Sequence, residues 1–197
     1  YFGKNPAAGT GPFNEEDVKI TANDLVVQNC YIKGAYFEKL TDSTFTDCSF
    51  TDNGNDPDEV ASNNNKDWMC GVDINLKNGS YEDIAFIDCT FTGNGANKGT
   101  ALHIKARDDG DYGPDTTLNG VTVTGCTFKD NNEPDGAPIV LGEPGKNNQT
   151  PVNVNIQPDV DYVNNLAKDA YVTITFNSAG GDPVPSIVAK KLSLIHI

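Results

Sequence analysis

One spacing recurs four times along the chain: Leu25-x-Val27-x-x-Cys30-x-Ile32, Ser43-x-Phe45-x-x-Cys48-x-Phe50, Ile84-x-Phe86-x-x-Cys89-x-Phe91 and Val121-x-Val123-x-x-Cys126-x-Phe128. Such a repeat constrains the fold more than composition does. A unit this small cannot bury an apolar face alone and must stack on its neighbours. Within each unit the apolar residues alternate with period two, as in a strand with one buried face, and the phase slips by one residue before the Cys pair begins. The slip requires a bend. The residue before each Cys is Asn29, Asp47, Asp88 or Gly125, types that tolerate a left-handed backbone, so each unit predicts strand, corner, strand.

Five residues after the Cys stand Asn53, Asn94 and Asn131 in the last three units and Ala35 in the first, which marks a second corner at a fixed place. A third apolar segment follows in every unit, at 36–40, 70–76, 101–106 and 138–141; the first three alternate with period two and the last is apolar throughout. No stretch sustains a helical period; only 160–170 carries a short, weak helix-like spacing. The Cys-to-Cys steps of 18, 41 and 37 residues predict a short minimal coil, with polar insertions at 52–67 and 107–117 in the later ones. Stacked at the roughly 4.8 Å spacing of paired strands, such coils would place Cys, Phe and Asn in ladders along one axis.

These residues resemble the right-handed parallel β-helix repeat family over about 18–156. The resemblance implies an all-β solenoid of four or five coils, taken to occupy 1–166, and says little about function because that architecture hosts many. The segment 170–186, with a strand ending in Phe176-Asn177 followed by Gly180-Gly181-x-x-Val184-Pro185, resembles the start of the internalin-type B-repeat family, small β modules of secreted and cell-surface bacterial proteins. The expectation is a truncated module over 167–191. The final Leu192-Ser193-Leu194-Ile195-His196-Ile197 looks like a translated sequencing adaptor, a non-native tail on a metagenomic fragment.

With Lys+Arg 14 against Asp+Glu 28, the 197-residue chain carries a formal charge of −14. A surface this negative repels nucleic-acid phosphate and anionic lipid headgroups, so neither a nucleic acid nor direct membrane insertion is expected. The five Cys show no Cys-x-x-Cys spacing, and the repeated ones alternate with apolar residues, so they read as compact core residues rather than metal ligands or a disulfide framework.

The segment 101–107 carries the most distinctive chemistry. Leu102, Ile104 and Ala106 point one way and His103, Lys105 and Arg107 the other, onto an exposed strand face. Registering the coils on Val72, Leu102 and Ile139 places Asp73 beside His103 and Asn75 beside Lys105. Asp73, His103, Lys105 and Arg107 are therefore the candidate catalytic set for proton abstraction beside a neutralised carboxylate. Read structurally, the same residues are a solvated face of alternating charge. In the following loop Asp108, Asp109, Asp111 and Asp115 offer oxygen ligands for calcium, or simply a solvated acidic loop. Trp68 and Tyr112, with Asn75, are candidate sugar-stacking and sugar-binding residues.

The leading functional expectation is a monomeric piece of a larger secreted or cell-wall-attached bacterial protein. Its β-helix would bind a polysaccharide or host-surface glycan as an adhesion module. The competing ones are a lyase or epimerase acting on an acidic polysaccharide, and a passive stalk.

Overall fold

The structure, a computed structural model, describes residues 17–56, 69–95, 99–107, 116–131, 138–142, 150–163 and 165, together with the backbone of 171–174 and 187–190. The strands are β1 (Thr21–Asn23), β2 (Val26–Gln28), β3 (Lys33–Phe37), β4 (Ser43–Thr46), β5 (Ser49–Thr51) and β6 (Cys70–Leu76). They continue with β7 (Ser80–Ile87), β8 (Thr90–Thr92), β9 (Thr100–Ala106), β10 (Thr117–Thr124) and β11 (Thr127–Lys129). The chain then forms β12 (Ile139–Leu141), β13 (Val152–Ile156), β14 (Asp161–Val163), β15 (Tyr171–Ile174) and β16 (Ile187–Lys190). No helix occurs among the described residues, and with it no helix long and apolar enough to cross a membrane.

Strands β1 to β14 fall into three parallel sheets in strict rotation: β1-β4-β7-β10-β13, β2-β5-β8-β11-β14 and β3-β6-β9-β12. Each visit to a sheet lands in register on the previous one, as Ser43–Thr46 does on Ile84–Ile87 and those residues on Val121–Thr124. The inward residues consequently stack like upon like. Phe50, Phe91 and Phe128 form a column with ring centroids 5.0 and 4.6 Å apart, which Tyr162 extends at 5.7 Å. Phe45 and Phe86 form a second at 5.0 Å. Offset stacking of this kind adds to the burial of the rings themselves.

The corners follow the residue types expected of them. Asp24, Asp47, Asp88 and Gly125 turn the chain from the first sheet to the second, all at left-handed φ, 53–61°. A Cβ on Gly125 would lie 1.9 Å from Asp88 Oδ1, so this rung admits only glycine without rearrangement. Asn29, Asp52, Gly93 and Asp130 make the second left-handed corner. Beside it Asn53, Asn94 and Asn131 form the predicted ladder. Asn53 Nδ2 donates to Asn94 Oδ1, and Asn94 Nδ2 to Asn131 Oδ1, each at 3.0 Å. Each amide nitrogen also caps a backbone carbonyl of the preceding turn, Val27, Phe50 or Phe91.

Three expectations are corrected. The first repeat is shifted by five residues: Val27 lies on Phe50 and Ala22 on Phe45, a step of 23 rather than 18. Leu25 thus occupies the Cys position, while Cys30 sits at the Asn rung, its N–H donating to Asn53 Oδ1 at 3.1 Å. The true first unit, Ile20-x-Ala22-x-x-Leu25-x-Val27, is masked in sequence by the small Ala22 and by a second, accidental match. The segment 160–170 is not helical where described: β14 adds a fifth rung, with Val160 in the Cys position and Asn165 ending the Asn ladder through a 2.8 Å bond from Asn131. A corner one residue longer, at 157–159, hid it. Third, the apolar segment expected at 36–40 lies earlier, as β3 over Lys33–Phe37, whereas β12 covers Ile139–Leu141 with Ile139 on Leu102 as expected.

Cys48, Cys89 and Cys126 stack in the core as compact apolar groups, each thiol donating to nearby backbone carbonyls. None of the five cysteines forms a disulfide. Toward the C-terminus, β15 and β16 pair antiparallel, with Ile174 opposite Ile187, apart from the three parallel sheets.

Candidate functional site

The third sheet differs from the second on its outer face. Ser49, Thr90 and Thr127 repeat across the second sheet, as do Thr51, Thr92 and then Lys129. On the third sheet each rung brings something new. Tyr36, Asp73, His103 and Val140 form one row in register, and Asn75 and Lys105 the next. Asp73 therefore does lie beside His103, and Asn75 beside Lys105, as the alignment of apolar positions predicts.

The environment of these residues is not the exposed face expected from alternation. Asp73 retains 1% of its surface, and Asn75, His103 and Lys105 6% each. Period-two alternation identifies the side of the sheet but cannot tell whether that side meets solvent. Burying charge is unfavourable unless it is paired, and the pairs are present. Lys33 donates to Asp73 Oδ2, and Lys105 Nζ lies 3.7 Å from Asp73 Oδ1. Lys77 donates to Glu38 Oε1 at 2.6 Å.

A hydrogen-bond chain of fixed direction crosses the first two rungs. Glu38, as a carboxylate, only accepts, so the Tyr36 hydroxyl donates to it at 2.7 Å and accepts from Asn75 Nδ2 at 2.8 Å. The Lys33 ammonium lies 4.2 Å from the centre of the Tyr36 ring. On the third rung, His103 Nε2 is 2.7 Å from the Gly142 carbonyl, which can only accept. Nε2 therefore carries a proton and donates it to this carbonyl.

Cys70, next to Lys33 in register, shares this face: burial, followed by the Asp73 charge, pushes its thiol up, opposed by Lys33 and Lys105. Arg107, partly buried, follows β9 and ties its N–H to the Leu76 carbonyl at 2.9 Å.

Burial, and after it the hydrogen bond to Glu38, push Tyr36 far above the ordinary phenol value, and burial does the same for Tyr81. A phenol with a raised folded-state pKa contributes stability that is whole below its unfolded value of 10.0 and is lost as pH climbs above it. The expected result of an alkaline titration is that these two phenols ionise only as the circular-dichroism signal of the folded sheets is lost. Ionisation of all seven tyrosines near pH 10 with the fold intact would contradict it.

Sequence reasoning missed Lys33, Tyr36, Glu38 and Lys77. Their signal was the register of β3 on β6, which the misplaced first repeat concealed. Trp68, Tyr112, Asp108, Asp109, Asp111 and Asp115 lie outside the described residues. Among the described residues no group of three or more His, Cys, Asp or Glu is arranged to hold a metal ion. No family model matches the chain, and no curated protein or solved structure matches it either.

Proposed function

We propose that the chain is a right-handed parallel β-helix module, over 1–166, of a secreted or cell-surface bacterial protein, followed by the start of an internalin-type B-repeat at 167–191. Its role in this reading is to bind a glycan on the outer face of the third sheet. The observation that carries the reading is the break in repetition on that face. Where a repeat serves stacking alone, each rung carries the same kind of residue, as in the Phe, Cys and Asn columns. Tyr36, Asp73 and His103 on consecutive rungs differ in kind from one another, and burying Asp73 and His103 costs desolvation. Such a set is what polar, multiply hydroxylated ligands require, with several donors and acceptors at fixed spacing.

A second reading, a lyase or epimerase, is favoured by one feature: a phenol, a carboxylate and an imidazole stand in one row with two ammonium groups beside them. That row contains a candidate proton donor, a base and cations to neutralise a carboxylate. Asp73, His103, Lys105 and Arg107 are the residues assigned to it, and calcium on the 108–115 loop its proposed cofactor.

The test is retention of the chain by a panel of neutral and acidic polysaccharides, with reducing ends and unsaturated uronate followed in parallel, with and without calcium. Binding without product is the expected result, weakened at least tenfold in Asp73→Asn and unaffected by Thr92→Ala on the second sheet. Product release that disappears in His103→Ala would establish the second reading instead, and retention by no polysaccharide would overturn both.

A further inference from the structure

Asparagine is thermolabile, and most so before glycine, whose missing side chain lets its backbone nitrogen reach the asparagine Cγ. The chain contains this pair four times, at Asn53-Gly54, Asn78-Gly79, Asn94-Gly95 and Asn119-Gly120. Deamidation there needs a glycine nitrogen free to attack, an amide nitrogen free to leave, and water. As dipeptides the four are equivalent. The fold separates them.

Asn53 and Asn94 are fully buried in the Asn ladder. Each Nδ2 donates twice, that of Asn53 to Val27 O and Asn94 Oδ1, that of Asn94 to Phe50 O and Asn131 Oδ1. The attacking nitrogens are committed as well: Gly54 N–H donates to the Cys30 carbonyl and Gly95 N–H to the Asn53 carbonyl, both at 2.8 Å. Asn78 is buried and its backbone is held on both sides. Its N–H donates to Thr116 Oγ1 at 2.8 Å, and its carbonyl accepts from Lys39 Nζ at 3.3 Å. Cyclisation at any of these three requires the surrounding coil to open first.

Asn119 stands apart because it is exposed. Its Oδ1 accepts from Nδ2 of Asn153, also exposed, at 2.6 Å. That bond draws electron density from Cγ, the atom attacked, and stabilises the oxyanion formed there. Asn119 pairs in register with Glu82 and Val152, and Val121 with Ile84 and Val154. Between those pairs the backbone turns left-handed at Asp83, Gly120 and Asn153, with φ 47, 99 and 53°. A Cβ on Gly120 would lie 2.3 Å from Asp83 Oδ1, so the fold imposes glycine at this irregularity, and with it the labile pair.

We propose that Asn119 is a site of self-modification in the folded protein. The Gly120 nitrogen, giving up its proton to solvent, attacks Asn119 Cγ; the bond from Cγ to Nδ2 breaks, Nδ2 takes a proton from water, and ammonia leaves. Water then opens the cyclic imide to aspartate or isoaspartate, so that one water is consumed for each ammonia released. Either product sets a carboxylate opposite Glu82, and isoaspartate also adds a methylene to the backbone of β10.

The test is incubation of the whole chain in mildly alkaline buffer, folded and in parallel in denaturant. Tandem mass spectrometry of proteolytic peptides reads the gain of one mass unit at each of the four pairs. In denaturant the four are expected to convert within a few fold of one another. In the folded chain Asn119 is expected to convert at least tenfold faster than any of the other three. Asn119→Gln removes the folded-state signal; should that variant fail to fold, the comparison of folded and denatured chain decides alone. Asn119 converting no faster than Asn53, Asn78 and Asn94 in the folded chain overturns the inference. The same order of rates in denaturant overturns it too, because the selection would then belong to the flanking sequence and not to the fold.

Discussion

Asn94→Leu is expected to be among the most damaging single substitutions in the chain. Asn94 Oδ1 accepts from the Asn53 N–H and from Asn53 Nδ2, and Asn94 Nδ2 donates to Phe50 O and Asn131 Oδ1. Leucine is close in volume and removes all four bonds from a fully buried column, although Asn131 Oδ1 keeps the Asn94 N–H and Asn53 Nδ2 keeps the Val27 carbonyl. At about 1 kcal/mol for each lost bond, and more where a group is left without any partner, the loss is on the order of 4 kcal/mol. That is comparable with the whole stability of many domains, and for a chain of this size corresponds to a fall in Tm of about 8–16 °C. Asn165→Leu provides the comparison. It closes the ladder with fewer partners, and its loss is expected to be less than half as large in the same thermal melt. Equal losses at Asn94 and Asn165 would mean that the ladder is not the continuous column described.

The second large effect is expected at Phe91→Ala. This ring is fully buried and lies between Phe50 and Phe128, at 5.0 and 4.6 Å, with Phe86 edge-on at 5.8 Å. Truncation removes the ring from the middle of the column, where neighbours held by strand pairing on both sides cannot collapse into the space. The expected cost is about 3–5 kcal/mol in denaturant unfolding. Tyr162→Ala, at the end of the same column and 49% exposed, is expected to cost well under half as much. A Phe91→Ala protein unfolding within about 1 kcal/mol of the parent would sink this account of the core.

The corners, the Asn ladder and the Cys column were legible because each is a local rule repeated. A left-handed corner selects Asp, Asn or Gly wherever it falls, and a buried stack selects Phe and Cys at a fixed offset. The pairing of Asp73 with His103 was legible for the same reason: the register of β6 on β9 follows from Val72, Ile74, Leu102 and Ile104 alone.

What failed were the ends, where the rule is weakest. Ala22 and Leu25 replace the larger ring and the Cys of the later units, so an accidental match five residues on took their place. In the last unit Val160 replaces Cys after a longer corner. With the first repeat misplaced, Tyr36 had no neighbour in sequence to give it meaning, and the candidate site lost its first rung. Burial of the polar row was not legible at all. Alternation separates the two faces of a strand, and whether the second face meets water depends on tertiary placement that no local pattern encodes.

The central claim, that the outer face of the third sheet is the ligand-binding surface, is tested most directly by amide chemical-shift mapping of the isotope-labelled chain against whichever polysaccharide retains it. The account predicts shifts confined to Lys33–Phe37, Cys70–Leu76 and Thr100–Ala106, largest at Tyr36, Asp73, Asn75 and His103. Shifts centred instead on Ser49–Thr51, Thr90–Thr92 and Thr127–Lys129 would place binding on the repetitive Ser and Thr face of the second sheet and contradict it.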